Sequence, residues 1–524
     1  MRVGPVSMLL AALVWTAPRS ALVAQRQPDP TIDTVIIVSH NVFDPPDGTP
    51  HFVAHLGNAL HITTHPAVIR RLLLLDAGMP LDSAHLLEAE RYLRGLGVFR
   101  AVRLDTMRVG DRLALRVETG DGWSTSPQLN FASAAGSTTW SAALVEKNFL
   151  GTATFVSVAY GRNPDRRSFD VQFQSPGLVF HHAPLLAAYS NLSDGRLGAW
   201  SYGMPFYRTD ARWSLVTGGA AANHRVLDFR NGFLFDSTQQ RALVFTLTGG
   251  VALHASGRGF TRLWAGAAWR REDFVPVGAS SPYSSFGSLG VGIDAARVRF
   301  AVFEHLNGFG RREDVDLSSS VRLGVWAAPR AWGYPGPGAG VGPEVNWQLG
   351  TRWSTGLALL RGQAHGVVGS AGVDSGLVHG TLDVASLALP RQALLLHLEG
   401  GALRRPKPGA AFDLWSTENG PRGFGAHVFT GTRMVYAMIE DRVLLADQLW
   451  GLIGVGVAPY LEYGGAWYPG DATRLGGNVG LALRTGSPRS VRGDVAEIDV
   501  SWRWQDGLSG RPWALTFRKS YTLK

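Results

Sequence analysis

The sequence predicts a transmembrane β-barrel preceded by a small mixed α+β domain, and three observations carry that expectation. Charged residues make up only 17% of the 524 positions while glycines number 64, a composition that suits short strands and turns. From about Trp123 onward helical periodicity gives way to period-two alternation, sustained over roughly 400 residues. After the N-terminal segment the chain contains no uninterrupted apolar run long enough to cross a bilayer as a helix, so a membrane-embedded form of it requires a closed barrel.

The elements follow in order. Arg2, an apolar stretch over 6–14 and small residues up to Ala24 have the layout of a secretory signal peptide over 1–24, with cleavage expected before Gln25. Residues 31–121 read as one small domain. Val35, Ile36, Ile37 and Val38 form a buried strand, and a turn-rich stretch with Pro45, Pro46 and Gly48 follows. Pro66 opens a first helix running to about Leu75, and Asp82 or Ser83 caps a second. In the second, Leu86, Ala89, Leu93 and Leu96 recur at helical spacing, with Glu88, Arg91 and Arg94 on the other positions. Val102, Leu104, a turn at Gly110, then Leu113, Leu115 and Val117 give a hairpin. The predicted order is strand, helix, helix, strand, strand.

Residues 125–524 alternate. Ile498, Val500, Trp502 and Trp504 are interleaved with Glu497, Asp499, Ser501 and Arg503; Phe169, Val171 and Phe173 with Asp170, Gln172 and Gln174. Large apolar groups on one side and small or charged groups on the other fit strands with one lipid face and one lumen face. Seventeen Trp and 12 Tyr are enough to supply interfacial girdles. Turns and alternation give sixteen to nineteen strands. A secreted all-β protein is the alternative that the same pattern allows.

Several classes of chemistry are set aside. The chain has no Cys, which excludes disulfides, thiolate metal sites and a cysteine nucleophile. The net charge of +9 is spread along the chain, not gathered in patches, so nucleic acid is not an expected partner. His51 with His55, and His61 with His65, have H-x3-H spacing, but they fall in the turn-rich stretch with nothing to complete a zinc site, and are read as solvent-exposed loop histidines. The glycine-rich stretch 336–342 lacks a following Gly-Lys-Ser/Thr and is read as a hairpin loop. No G-x-S-x-G elbow occurs. No catalytic residue, cofactor or metal ligand is nominated, and the chain is not expected to be an enzyme.

The order of elements in 31–121, especially "LDSAHLLEAERYLRGLGVFRAVRL" at 81–104, resembles a polypeptide-transport-associated (POTRA) domain. "LVEKNFLGTATFVSVAYG" at 144–161 and "SNLSDGRLGAWSYGMPFY" at 190–207 resemble barrel segments of the BamA/TamA superfamily of outer-membrane proteins. Gly420, Pro421, Arg422, Gly423 and Phe424 match that family's "(V/I)RG(F/Y)" loop motif, with Pro for the aliphatic residue. "YLEYGGAW" at 460–467 matches its "F-x-D-x-G" strand motif, with Glu462 for Asp. The resemblance implies a sixteen-stranded barrel in the bacterial outer membrane with a periplasmic N-terminal domain, assisting insertion or translocation of other polypeptides. Unfolded outer-membrane or secreted polypeptides, outer-membrane lipids and accessory assembly subunits are the partners it implies. The chain departs from the family in having one POTRA-like domain and in ending on Lys524. Trp513, Leu515, Phe517 and Tyr521 keep a lipid-facing alternation, which makes Tyr521 the expected terminal aromatic.

Five strands are read after the loop at 404–430, and an odd number places that loop on the side of the membrane opposite the C-terminus. Ile453, Val455, Val457, Leu461 and Tyr463 share one face of their strand, which leaves Tyr460 and Glu462 facing the lumen. A loop folded into the barrel brings Arg422 to Glu462, and that ion pair is the predicted site. The barrel seam is expected between the strands at 138–147 and 512–521. The alternative functions are a passive outer-membrane channel and a dedicated two-partner-type exporter; the latter normally carries two POTRA domains and an N-terminal plug helix, for which 25–33 is too short.

Overall fold

The computed structural model describes residues 30–43, 51–134, 137–178, 180–277, 284–310, 312–336, 338–369, 372–415, 420–488, 495–505 and 512–523. The signal peptide expected over 1–24 and the turn at Pro45, Pro46 and Gly48 lie outside them.

The N-terminal domain contains β1 (Thr34–His40), α1 (His51–Leu60), α2 (Pro66–Leu72), α3 (Ser83–Gly95), β2 (Phe99–Val109) and β3 (Arg112–Asp121). β3 is the central strand, parallel to β1 and antiparallel to β2. Pro66 occupies the first turn of α2, where its missing N–H costs nothing. Asp82 caps α3 by accepting the His85 N–H at 2.8 Å. Ile69, Leu72, Leu93, Val98, Leu115 and Val117 close the core.

α1 departs from the sequence reading, which left its residues in a turn. Thr49 followed by Pro50 directly before it is a helix-start signal of the kind that opens α2, set here in a turn-rich stretch, and buried Gly57 lets the Phe43 ring pack directly on the helix backbone. His51 and His55 are therefore exposed helix residues. His61 is not a loop histidine in solvent: its side chain is 2% exposed and its Nε2 lies 3.0 Å from Asp121.

Twenty strands, from Thr125–Ala134 to Trp513–Lys519, form a closed antiparallel barrel with the first and last as neighbours. Among the described residues the count is twenty, not sixteen. Thr125–Ala134 is a full strand that Pro127 had obscured in the sequence, and the strand at Ser137–Glu146 is second in the barrel. The seam thus lies between Thr125–Ala134 and Trp513–Lys519, not between 138–147 and 512–521. An even count puts both barrel ends at one mouth, the one that carries the N-terminal domain. Outward Ile498, Val500, Trp502 and Trp504 are 40–49% exposed, whereas Glu497, Asp499, Ser501 and Arg503 are at most 6% exposed. Such a bare apolar exterior over a polar interior is what lipid on the outside requires.

Two inserts interrupt the sequential pairing. One spans 298–318, between Ser284–Arg297 and Ser319–Ala328, at the domain-side mouth. The other spans 405–432, between Gln392–Arg404 and Arg433–Leu449, at the far mouth. Five strands follow the second, as the sequence had indicated.

Candidate functional site

The far-mouth insert begins and ends in a short antiparallel pair, Phe412–Leu414 with Phe429–Gly431. Between them the chain carries Arg422 into the lumen, where its side chain is fully buried. Two glycines make the descent possible. Gly423 has φ +83°, and a Cβ there would stand 2.8 Å from Ser501 Oγ. At Gly420 a Cβ would strike the backbone of Leu414 and Trp415. Phe424 is fully buried and packs edge-on against Phe429 at 5.0 Å, within a cluster with Leu414, Met434 and Met438.

Glu462 is where its strand parity predicts, fully buried and facing Arg422. The Arg422 Nε lies 3.0 Å from Glu462 Oε1, out of hydrogen-bond alignment, while the Arg422 backbone N–H donates to Glu462 Oε2 at 2.6 Å. The predicted pairing of Arg422 with Glu462 is present, but Glu462 is not its sole partner. The guanidinium is shared: Nη1 donates to Asp499 at 3.0 Å, Nη2 donates to Glu440, and Glu497 stands 3.9 Å away. Its flat face lies 3.7 Å from the Tyr460 ring centre. Tyr436 Oη (3.0 Å) and Asn478 Nδ2 (2.9 Å) complete the shell of Glu462, and Asn478 also holds the Arg422 carbonyl. One buried cation surrounded by four carboxylates is balanced only because Arg442, Arg484 and Arg518 stand on the outer side of Glu440 and Glu497.

Two of those arginines, Arg442 and Arg484, hold the second insert, which the sequence reading missed. Its strands Phe300–Glu304 and Arg312–Asp316 raise a tip into the lumen, where Leu306 and Phe309 are buried. Arg442 donates to the Leu306 carbonyl at 2.8 Å and Arg484 to that of Asn307 at 2.9 Å. Asn307 in turn exchanges two hydrogen bonds of 2.9 Å with the backbone of Leu523. The C-terminal tail therefore turns inward: Tyr521 donates to Asp383 at 2.6 Å and is no lipid-facing terminal aromatic. On its other side the insert meets α3, with Arg94 forked onto Asp314 at 2.7 and 2.9 Å and Arg91 lying 3.7 Å from the Phe300 ring centre. The clue was present in "RREDVD" at 311–316, whose consecutive charges no lipid-facing strand tolerates.

At the far mouth the Arg422 loop is also tied down by His427. Its imidazole lies between Asp413 (2.6 Å) and Asp165 (2.9 Å) and stacks on Phe229. Burial lowers its pKa, but the hydrogen bonds to Asp165 and Asp413 outweigh that and raise it to about 9. A group whose pKa is raised on folding stabilises fully below its unfolded value, here the ordinary 6.5, and stops doing so as pH passes the folded value. Protection of 405–432 from protease should thus fall between pH 7 and about 9, and His427→Gln should remove that pH dependence.

A polar cavity of about 470 Å3 remains against the opposite wall, lined by Asp294, Arg322, Gln348, Arg361 and His379 among others.

No family model matches the chain, and no curated protein does. Among solved structures it is similar to CdiB from Escherichia coli, at 12% identity over 94% of this chain and 76% of that one, with a TM-score of 0.48. CdiB from Acinetobacter baumannii gives 11% identity over 94% and 73%, with a TM-score of 0.46. BamA from Haemophilus ducreyi lacking POTRA domains 1-3 gives 12% identity over 93% and 83%, with a TM-score of 0.35.

Proposed function

We propose that the chain is an outer-membrane barrel of the BamA/TamA type, which assists insertion or translocation of other polypeptides at the outer membrane. Its N-terminal domain is then a periplasmic POTRA-like domain that receives extended clients at a sheet edge, where main-chain hydrogen bonds give affinity with little demand on sequence. The observation that carries this reading is that an insert enters the lumen from each mouth and is anchored on the strands that lead to the seam. Arg422 is held by Glu440, Glu462 and Asp499, and Arg518 of the last strand shares Glu497 with it.

A passive channel has no use for two such plugs. A protein-handling barrel does, because the lumen must stay sealed until a client arrives. Contact of a client with the domain would load α3, whose Arg91 and Arg94 already hold the domain-side insert. From there Arg442 and Arg484 connect to Glu440 and Glu497, and so to Arg422. Work would come from the folding of the client.

Depletion of the protein followed by a proteomic census of the outer membrane and the medium tests the reading. Loss of client proteins with unchanged uptake of small solutes is expected. Loss of many barrel proteins would assign general assembly and loss of one secreted protein a dedicated route, while an intact proteome with impaired solute uptake would favour a channel.

A further inference from the structure

The outward side of α1 is unexplained by the domain's own packing. Gly57 faces inward onto Phe43, while His51, Phe52, His55, Leu56 and Ala59, which share the opposite helical face, are exposed. Phe52 is 74% and Leu56 57% exposed, and Ile62 just beyond the helix is 51% exposed. Phe149 and Leu150 add two more exposed side chains from the turn at 147–154. That turn is bolted to the domain: Asn148 Nδ2 donates to the Ile62 carbonyl at 3.1 Å, and the His65 N–H to that of Gly151 at 3.1 Å. It also joins the barrel strands Ser137–Glu146 and Phe155–Arg162, whose outward Leu144 and Val158 belong to the apolar exterior. The turn thus ties the end of α1 to barrel strands that carry the lipid-facing belt, and an exposed apolar surface beside such a belt marks a binding face.

We propose that α1 and the turn at 147–154 sit in the lipid interface at the domain-side mouth, so that the N-terminal domain rests on the phospholipid monolayer. Phe52, Leu56, Ile62, Phe149 and Leu150 enter the acyl boundary, and the imidazoles of His51 and His55 lie among the headgroups, as in interfacial amphipathic helices. The contact fixes the domain's orientation against the barrel in addition to the hydrogen bonds at Asn148.

The inference rests on the membrane-barrel reading, and the test separates the two. The Cys-free chain allows single cysteines at Phe52→Cys, Leu56→Cys, Leu144→Cys and Asp111→Cys, each labelled with a fluorophore in the full-length protein reconstituted in phosphatidylethanolamine–phosphatidylglycerol vesicles. Asp111 lies at the tip of the β2–β3 hairpin, about 30 Å of strand from the barrel end of β3. With a nitroxide on the lipid acyl chain, positions 52 and 56 should lose more than half as much fluorescence as position 144, and position 111 none. Quenching at 144 with none at 52 and 56 overturns the inference while the barrel reading stands. Shielding of 52 and 56 from aqueous iodide without lipid quenching would assign the face to a second copy of the chain, which also overturns it. Absence of quenching at 144 overturns the barrel reading itself.

Discussion

Arg422→Ala is expected to release the far-mouth loop and abolish activity while leaving the barrel assembled. The change leaves Glu440, Glu462, Glu497 and Asp499 around a site with no cation at its centre. Removing one member of a buried ion pair costs about 3–5 kcal/mol, and both Arg422 and Glu462 are fully buried, so solvent offers no relief. Protease should then cut within 405–432, and the protein should give larger conductance steps in planar bilayers. Arg422→Lys should fail partly, because an ammonium cannot span carboxylates on several strands or lie flat on Tyr460. Exchange of Arg422→Glu with Glu462→Arg should restore little, since Glu462 is only one of the four acceptors. A loop that stays protected in Arg422→Ala would mean that His427 and the Phe424 cluster suffice to hold it.

Locking the seam should block activity as completely, and reversibly. The last strand, Trp513–Lys519, has seven residues and pairs all of them with Val495–Gln505. Its other neighbour, Thr125–Ala134, contains Pro127, which cannot donate to a ladder. Across this junction Phe131 and Phe517 meet edge-on at 5.9 Å on the outer side. Phe131→Cys with Phe517→Cys, bridged by a bifunctional methanethiosulfonate, adds a covalent link at the place where a client strand would enter. The inner side of the seam is next to the loop, since a Cβ on Gly423 would stand 3.0 Å from that of Ala514. Opening of the seam and release of Arg422 are thus expected to be coupled.

The outline of the molecule was legible in the sequence because lipid imposes a strict alternation, and strands such as Val495–Gln505 obey it residue by residue. The inward parity of Glu462 followed from the same rule. Glu440 was not legible. On its strand Met434, Tyr436 and Met438 also point inward, where they pack against the loop, so the lumen face is apolar at one end and charged at the other. The insert at 298–318 was overlooked although the charges of Arg312–Asp316 break the alternation, because its other strand, Phe300–Glu304, is as apolar as a strand of the wall. α1 was missed because its start signal, Thr49 followed by Pro50, sits behind Pro45, Pro46 and Gly48, which read as turn.

The most direct measurement is the outer-membrane and secreted protein content of cells whose only copy carries the Phe131→Cys/Phe517→Cys pair, compared with the link in place and after reduction. Client proteins should disappear while the seam is linked and return once the reductant is added. Full client levels with the link in place, verified by gel shift of the linked chain, would contradict the account.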